Sequence, residues 1–397
     1  GCGVDIFYAL PGRNWNEDST GLPSTGDFNA IALTDADHNG LLDVILGSAT
    51  GSGVKAYLQE PAGTWTASST GLPTTAFSVN DILIKDYNKD GHPDILFSTP
   101  GKGIRYYEGV GDGTWDEKSH PVDTGSFEGL ASLDWYNNGK LDLIAAGQDD
   151  NGLVYWRRNS SWDWTSSDFE LPHTGNYRKI ALVKADSDGF SDIVVTQDDG
   201  VRAFSGDDPD FSEMSIGLPD KGSWDGIASS DYPPDILGDV FIGSGSGGGA
   251  KIYSGLSGTN WISGNDLFTT GSWHDLEAAD LDNDGAADAA GAPSEGGLFI
   301  YYNLPDILTP QWQNSPAPSE TTGNPVSVDS GDMDKDGDTD IIIGTSSHGI
   351  IFFQGDGGST WSGVVPPAFP TTTAHPDLKI GDFDNDYKFD VVTVTEG

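Results

Sequence analysis

The chain has 397 residues and a formal charge of −43, from 62 Asp+Glu against 19 Lys+Arg. Such a charge repels nucleic-acid phosphates and anionic lipid surfaces and argues against both as partners. A hydrophobic fraction of 36% with 11% aromatics is too rich for a disordered acidic chain, so a packed core is expected.

The chain opens on Gly1-Cys2. Cys2 is the sole cysteine, so no internal disulfide forms, and its position allows a lipid anchor there. No apolar run approaches the roughly 18 residues of a membrane span. No signal peptide is seen, and one would already have been removed from a secreted protein. Two aromatic strands are predicted next, VDIFYAL and NWNEDS.

A nine-residue acidic unit then recurs eight times: Asp35–Asp43, Asp86–Asp94, Asp134–Asp142, Lys184–Asp192, Asp231–Asp239, Asp280–Asp288, Asp332–Asp340 and Asp382–Asp390. Successive starts lie 51, 48, 50, 47, 49, 52 and 50 residues apart, a period that marks a repeat architecture. Each unit sits between short apolar strands such as NAIALT and DVILGS. An aromatic strand follows (VKAYLQE, IRYYEG, LVYWRR, LFIYYN, IIFFQG), then a fourth strand opened by Trp15, Trp65, Trp115, Trp164, Phe211, Trp261, Trp312 or Trp361. Four short strands per fifty residues read as one propeller blade.

The chain begins with an aromatic strand pair and ends with an acidic-loop pair, LKIGDFDNDYKFDVVTVT. The predicted fold is therefore all-β: an eight-bladed β-propeller of four-stranded blades, its ring closed by N-terminal and C-terminal half-blades. Residues 1–397 are read as a single domain, with 1–25 and 376–397 forming the split blade and seven continuous blades between. Pairing the termini removes free sheet edges.

The loop pattern D-x-D/N-x-D/N-G-x-x-D places oxygen ligands at positions one, three, five and nine, with a backbone carbonyl at seven. Glycine at six permits the sharp turn. Hard oxygen donors in a flexible loop select Ca2+. An EF-hand would need Glu at position twelve and flanking helices. That position holds Leu46, Phe97, Gly291, Ile343 or Thr393, and strands follow.

Four loops are complete. Their predicted ligands are Asp35, Asp37, Asn39, Leu41 and Asp43; Asp86, Asn88, Asp90, His92 and Asp94; Asp280, Asp282, Asp284, Ala286 and Asp288; and Asp332, Asp334, Asp336, Asp338 and Asp340. The eighth loop offers Asp382, Asp384, Asp386, Lys388 and Asp390 but has Tyr387 at the glycine position. The degenerate loops are 134–142, with Tyr136 at position three, 184–192, with Lys184 where an ammonium can stand in for the ion, and 231–239, with Pro233 and Ile236. These three are expected to be acidic turns, leaving about four to five calcium sites of structural role.

With those loops and the triplet Gly291-Ala292-Pro293, the chain resembles the FG-GAP/VCBS repeat family, found in integrin α-subunit propellers, fungal sugar-binding propeller lectins and microbial surface proteins. The resemblance implies calcium at the intact loops. Its better-known members have seven blades, against eight counted here.

The recurring tryptophans are expected to be packing residues, whereas Trp135, Trp224 and Trp273 fall outside the series and are candidate ligand platforms. The TGLP turns at Thr20–Pro23 and Thr70–Pro73, echoed at Ile216–Pro219, are read as blade connectors, and Asn159-Ser160-Ser161 as a short glycosylation sequon. The histidines 38, 92, 120, 173, 274, 348 and 375 show no metal spacing, and no nucleophile elbow or P-loop is present. The expected function is a non-enzymatic, calcium-stabilised, secreted or cell-surface binding or adhesion propeller, lectin-like, recognising a glycan or protein. The alternative is a structural subunit of an extracellular filament or array, assembled from copies of itself through strand exchange or face contacts.

Overall fold

The computed structural model describes residues 3–10, 14–135, 138–159, 161, 163–167, 170–206, 211–230, 238–255, 260–266, 271–293, 297–304, 311–314, 324–364, 366 and 368–395. Thirty-two strands form eight antiparallel sheets of four, and no helix occurs among the described residues. In blade one the order is Phe28–Thr34, Asp43–Ser48, Val54–Gln59, Trp65–Ala67, a meander from the inner strand outward. The inner strands of the other blades are Asp81–Lys85, Ser126–Leu133, Tyr177–Val183, Trp224–Ser230, Trp273–Ala279, Pro325–Gly331 and Leu378–Gly381. Each inner strand packs beside the next, and Leu378–Gly381 returns to Phe28–Thr34, closing an eight-bladed propeller.

The eighth blade is assembled from both ends of the chain. Its order is Asn14–Glu17, Val4–Leu10, Asp390–Val394, Leu378–Gly381, with Val4 opposite Val394 and Phe7 opposite Val391. The N-terminal pair thus completes the chain's own last blade, and the edge that strand exchange would use is occupied. Cys2 lies outside the described residues.

The core lies between blades rather than within one. Eight hydrophobic clusters are each shared by two neighbours. Val4, Ile6 and Phe383 of blade eight pack with Phe28, Val44 and Trp65 of blade one, and the other seven junctions repeat the arrangement. Second strands such as DVILGS and DIIIGT are buried throughout because a sheet lies on each side. The TGLP connectors join this packing. At Gly71, φ is +90° and a Cβ would lie 1.7 Å from the Trp115 carbonyl oxygen, while the Trp115 N–H donates to the Thr70 carbonyl at 3.0 Å. Glycine is required there on both counts.

The central channel carries charges that the repeat pattern did not announce. Asp81, Asp275, Asp329 and Asp377 each accept an inner-strand N–H of the following blade: Leu130, Val328, Ile380 and Ile31, at 2.9–3.1 Å. These carboxylates staple one blade to the next. Burial works against a charge on Lys379, yet Asp377, Asp329, Asp275 and Glu277 around it hold its ammonium above the usual lysine range. Burial, together with Asp329 and Asp275, pushes Glu277 up to about 7.

Candidate metal centres

Each acidic loop joins an inner strand to the second strand of its blade, so the loops share one rim of the ring. A repeated set of side chain–backbone hydrogen bonds shapes them. The position-one carboxylate accepts the N–H of residue six: Asp35 from Gly40, Asp86 from Gly91, Asp280 from Gly285, Asp332 from Gly337 and Asp382 from Tyr387, all at 2.9–3.0 Å. The position-five side chain accepts from residue seven, as Asn39 does from Leu41, Asp90 from His92, Asp284 from Ala286, Asp336 from Asp338 and Asp386 from Lys388. Short Asx-type closures like these explain why Asp dominates and Glu is scarce.

The ninth residue performs a second task. Asp43, Asp94, Asp288, Asp340 and Asp390 are fully buried. One oxygen of each accepts the N–H of residue two of its loop (Ala36, Tyr87, Leu281, Met333, Phe383) at 2.7–2.9 Å. The other accepts from the third strand (Gln59, Gly109, Asn303, Ala9) or the residue just after it (Gly355) at 2.7–3.1 Å. Residue two is thereby drawn into the interblade core.

The same frame corrects the reading of the tryptophans. Trp135 is residue two of loop three and is 4% exposed, like the fully buried Tyr87 and Phe383 in that position. Trp224 and Trp273 begin inner strands, as Phe28 and Tyr177 do, and are 4% and 2% exposed. All three are core residues and not ligand platforms. Aligning them with the repeat would have shown it. Within the recurring series Trp15, Trp65, Trp115, Phe211 and Trp261 are buried, while Trp164 and Trp361 are partly exposed. The side chain of Trp312 lies outside the described residues.

Carboxylates converge in four of the five intact loops. One oxygen from each of Asp35, Asp37 and Asp43 lies within 4.8 Å of the others; so do Asp280, Asp282 and Asp288, Asp332, Asp334 and Asp336, and Asp382, Asp384 and Asp390. In loop two the frame is kept, but Asn88 Nδ2 turns onto Asp90 Oδ2 at 2.9 Å and its three carboxylates are not gathered in this way. In loop eight the Lys388 ammonium bonds Asp386, so an internal cation holds one of the expected ligands. Tyr387 takes φ +68°, the conformation glycine has at this position elsewhere, so the loop closes despite its bulk.

The donor set fits a hard dication. All side-chain donors are oxygens, and Asp35 Oδ1 is buried without a partner inside its cluster, an orphan that a cation would satisfy. Asp35, Asp37 and Asp43, and their counterparts in loops six, seven and eight, are the residues that would hold Ca2+. Loop four keeps the clamp through Asp192, which accepts from Ala185 and Gly206, but its Lys184 is exposed. Tyr136 of loop three and residues 231–237 of loop five, with Pro233 and Ile236, lie outside the described residues.

Two expected results follow from this geometry. Burial raises the position-nine carboxyls, Asp43, Asp340 and Asp390 to about 7 and Asp288 to about 8. Their folded pKa exceeds the unfolded one, so in the metal-free protein their contribution is present at low pH and is lost as pH rises through about 7. A calcium ion held at these loops would have to displace that proton. Its affinity should climb about tenfold per pH unit up to neutrality and level off above about pH 8, which calcium titrations across that range will read. The second concerns Gly285, at φ +88° with nothing within 4 Å of a Cβ. Gly285→Ala should cost about 1 kcal/mol in a denaturant melt through backbone strain alone, and Gly285→Asn less.

Residues 35–97, 134–195, 280–343 and 332–393 match a family model described as FG-GAP-like repeat. No curated protein matches the chain in sequence. Among solved structures it resembles an Agrocybe aegerita lectin described as recognising non-reducing terminal N-acetylglucosamine, with TM-score 0.51, 16% identity, and coverage of 91% of this chain and 89% of that one. It also resembles BBS1N in complex with ARL6DN, at TM-score 0.52 and 11% identity over 86% and 94% of the chains. A putative 6-phosphogluconolactonase from Bacteroides fragilis gives TM-score 0.52 and 10% identity over 84% and 96%. At these identities the likeness is one of fold.

Proposed function

Because this chain belongs to the FG-GAP repeat family, we propose that it is a non-enzymatic, calcium-stabilised binding propeller, a single domain over residues 1–397, that acts in the secreted or cell-surface space. FG-GAP repeats are typical of extracellular proteins and their propellers are generally non-enzymatic. No helix among the described residues is long and apolar enough to cross a membrane. Millimolar extracellular calcium would fill even weak loop sites.

The observation that carries the reading is an open cavity of about 440 Å³ beside loop seven, lined by Asp336, Asp338, Gln354, Asp356, Thr360 and Trp361. Trp361 is tied in place by its indole N–H, which donates to Tyr302 Oη at 2.5 Å. Gln354 Nε2 donates to Asp334 at 2.7 Å and so couples the cavity wall to the loop. A partly exposed indole face beside several hydroxyl-accepting carboxylates is the chemistry that holds a saccharide: the ring's CH face on the aromatic, its hydroxyls on the acids. The lectin of the same fold supports the glycan reading, and the BBS1N–ARL6DN complex the protein alternative.

The test is a glycan array in calcium buffer together with binding to cell envelopes. Hits that disappear in Trp361→Ala, assayed well below the lowered melt that loss of its packing brings, are the expected result. An array without hits and no envelope binding would overturn the proposal.

A further inference from the structure

The loop rim carries a second repeated device, a side-chain contact from the fourth residue of one loop to the next loop. His38, Lys89, Asn283, Lys335 and Asn385 occupy that position at φ 59–63°. Asn385 Nδ2 donates to the Gly40 carbonyl at 2.9 Å, joining loop eight to loop one. Asn283 Nδ2 reaches Gly337 O at 3.2 Å and Asp338 Oδ1 at 2.8 Å, joining six to seven. Lys335 Nζ stands 4.6 Å from the centre of the Tyr387 ring, joining seven to eight.

Between loops one and two the same contact is made by two imidazoles. His38 Nε2 and His92 Nδ1 lie 2.6 Å apart, with ring centres at 4.8 Å. The His92 ring rests on the backbone at Gly111, where a Cβ would come within 2.3 Å of Nδ1. Neither ring belongs to an oxygen cage; His92 is read into loop two only through its main-chain carbonyl.

We propose that His38 and His92 form a two-nitrogen site for a d-block dication such as Zn2+, Ni2+ or Cu2+, distinct from the calcium loops. A neutral imidazole carries one ring hydrogen, so the two facing nitrogens present two lone pairs once the ring that donates in this contact carries its hydrogen on its other nitrogen, with no proton lost. Ligands at 2.0–2.1 Å from a metal stand about 3 Å apart, so the exposed His38 ring has to draw back by less than about 1 Å and turn until both lone pairs meet at the ion. Imidazole prefers these metals to Ca2+, which the oxygen loops retain, so the two ion classes sort by donor softness. Asp112, next to Gly111 and within electrostatic reach of His92, adds an attractive field for a dication. A bound ion clamps blade one to blade two at the rim.

The test is titration of the full chain with Zn2+, calcium held in excess to keep the oxygen loops filled. Wild type is expected to take up one equivalent of Zn2+ and to melt higher with it. His38→Asn keeps a residue that accepts positive φ, and His92→Asn keeps the loop-two carbonyl; both are expected to lose the uptake and the melt shift while melting normally in calcium. His348→Asn, remote from the pair, should bind as wild type does. No uptake by wild type, or equal uptake by either His38→Asn or His92→Asn, overturns the site, and the second variant decides if the first does not fold.

Discussion

In excess EDTA the protein should melt about 8 °C lower than in millimolar calcium. A site of roughly 0.1 mM affinity in 1 mM ligand stabilises the fold by about 1.4 kcal/mol, and about five such sites give about 7 kcal/mol. With roughly 2 cal/mol/K of unfolding entropy per residue, a chain of this length converts that into about 8 °C. The carriers are the five intact loops; in four of them, one, six, seven and eight, the carboxylates already converge, and a cation among them relieves their mutual repulsion. Differential scanning fluorimetry with EDTA, then with calcium restored, reads the shift. A melt indifferent to EDTA would remove structural calcium from the account. The loops hold 27 of the 51 Asp and five Lys, so −22 of the −43 charge sits in them. Ions there would neutralise a good part of the acidity that dominates the composition.

Asp390→Ala should cost about 4 kcal/mol and open the ring at its seam. Asp390 is fully buried, and its two oxygens accept the N–H of Ala9 at 2.7 Å and of Phe383 at 2.9 Å. Truncation leaves both donors buried and unpaired, at about 1–3 kcal/mol each. Ala9 lies 381 residues away in sequence, so this bond ties the N-terminal strand to the C-terminal loop. Asp192→Ala removes the same two bonds inside a continuous blade and serves as the control. Hydrogen exchange should show Val4–Leu10 opening selectively in Asp390→Ala and not in Asp192→Ala. Equal protection of that strand in both would mean the clamp does not hold the seam.

Most of the loop architecture was legible because its bonds are local. Asp35 binds Gly40, Asn39 binds Leu41 and Asp43 binds Ala36, all within seven residues, so a nine-residue pattern contains the information. Tyr387 looked like a defect and is accommodated, since position six demands a positive φ and has open space around it in loops one, two, six and seven. Other side-chain contacts of the same loops, some local and some between blades, were not legible. Lys388 on Asp386 and Asn88 on Asp90 set the loops apart through rotamers that no spacing encodes. The His38–His92 pair spans 54 residues, one period plus the offset from position four to seven, and only the lateral packing of two blades reveals it.

By itself the sequence determined the strand count, the number of blades, the half-blades at either end and the oxygen chemistry of the loops. Each of these follows from a repeat of about fifty residues whose units bury nothing until they are stacked. The tertiary structure decided which surface each repeat position meets, whether the interblade core, the channel or the rim. The core forms between blades, so the burial of Trp135, Trp224 and Trp273, the Asp staples around Lys379 and the cavity at Trp361 all depend on the neighbouring repeat. A repeat's own pattern sets its internal hydrogen bonds; ring closure supplies the surface each repeat is packed against.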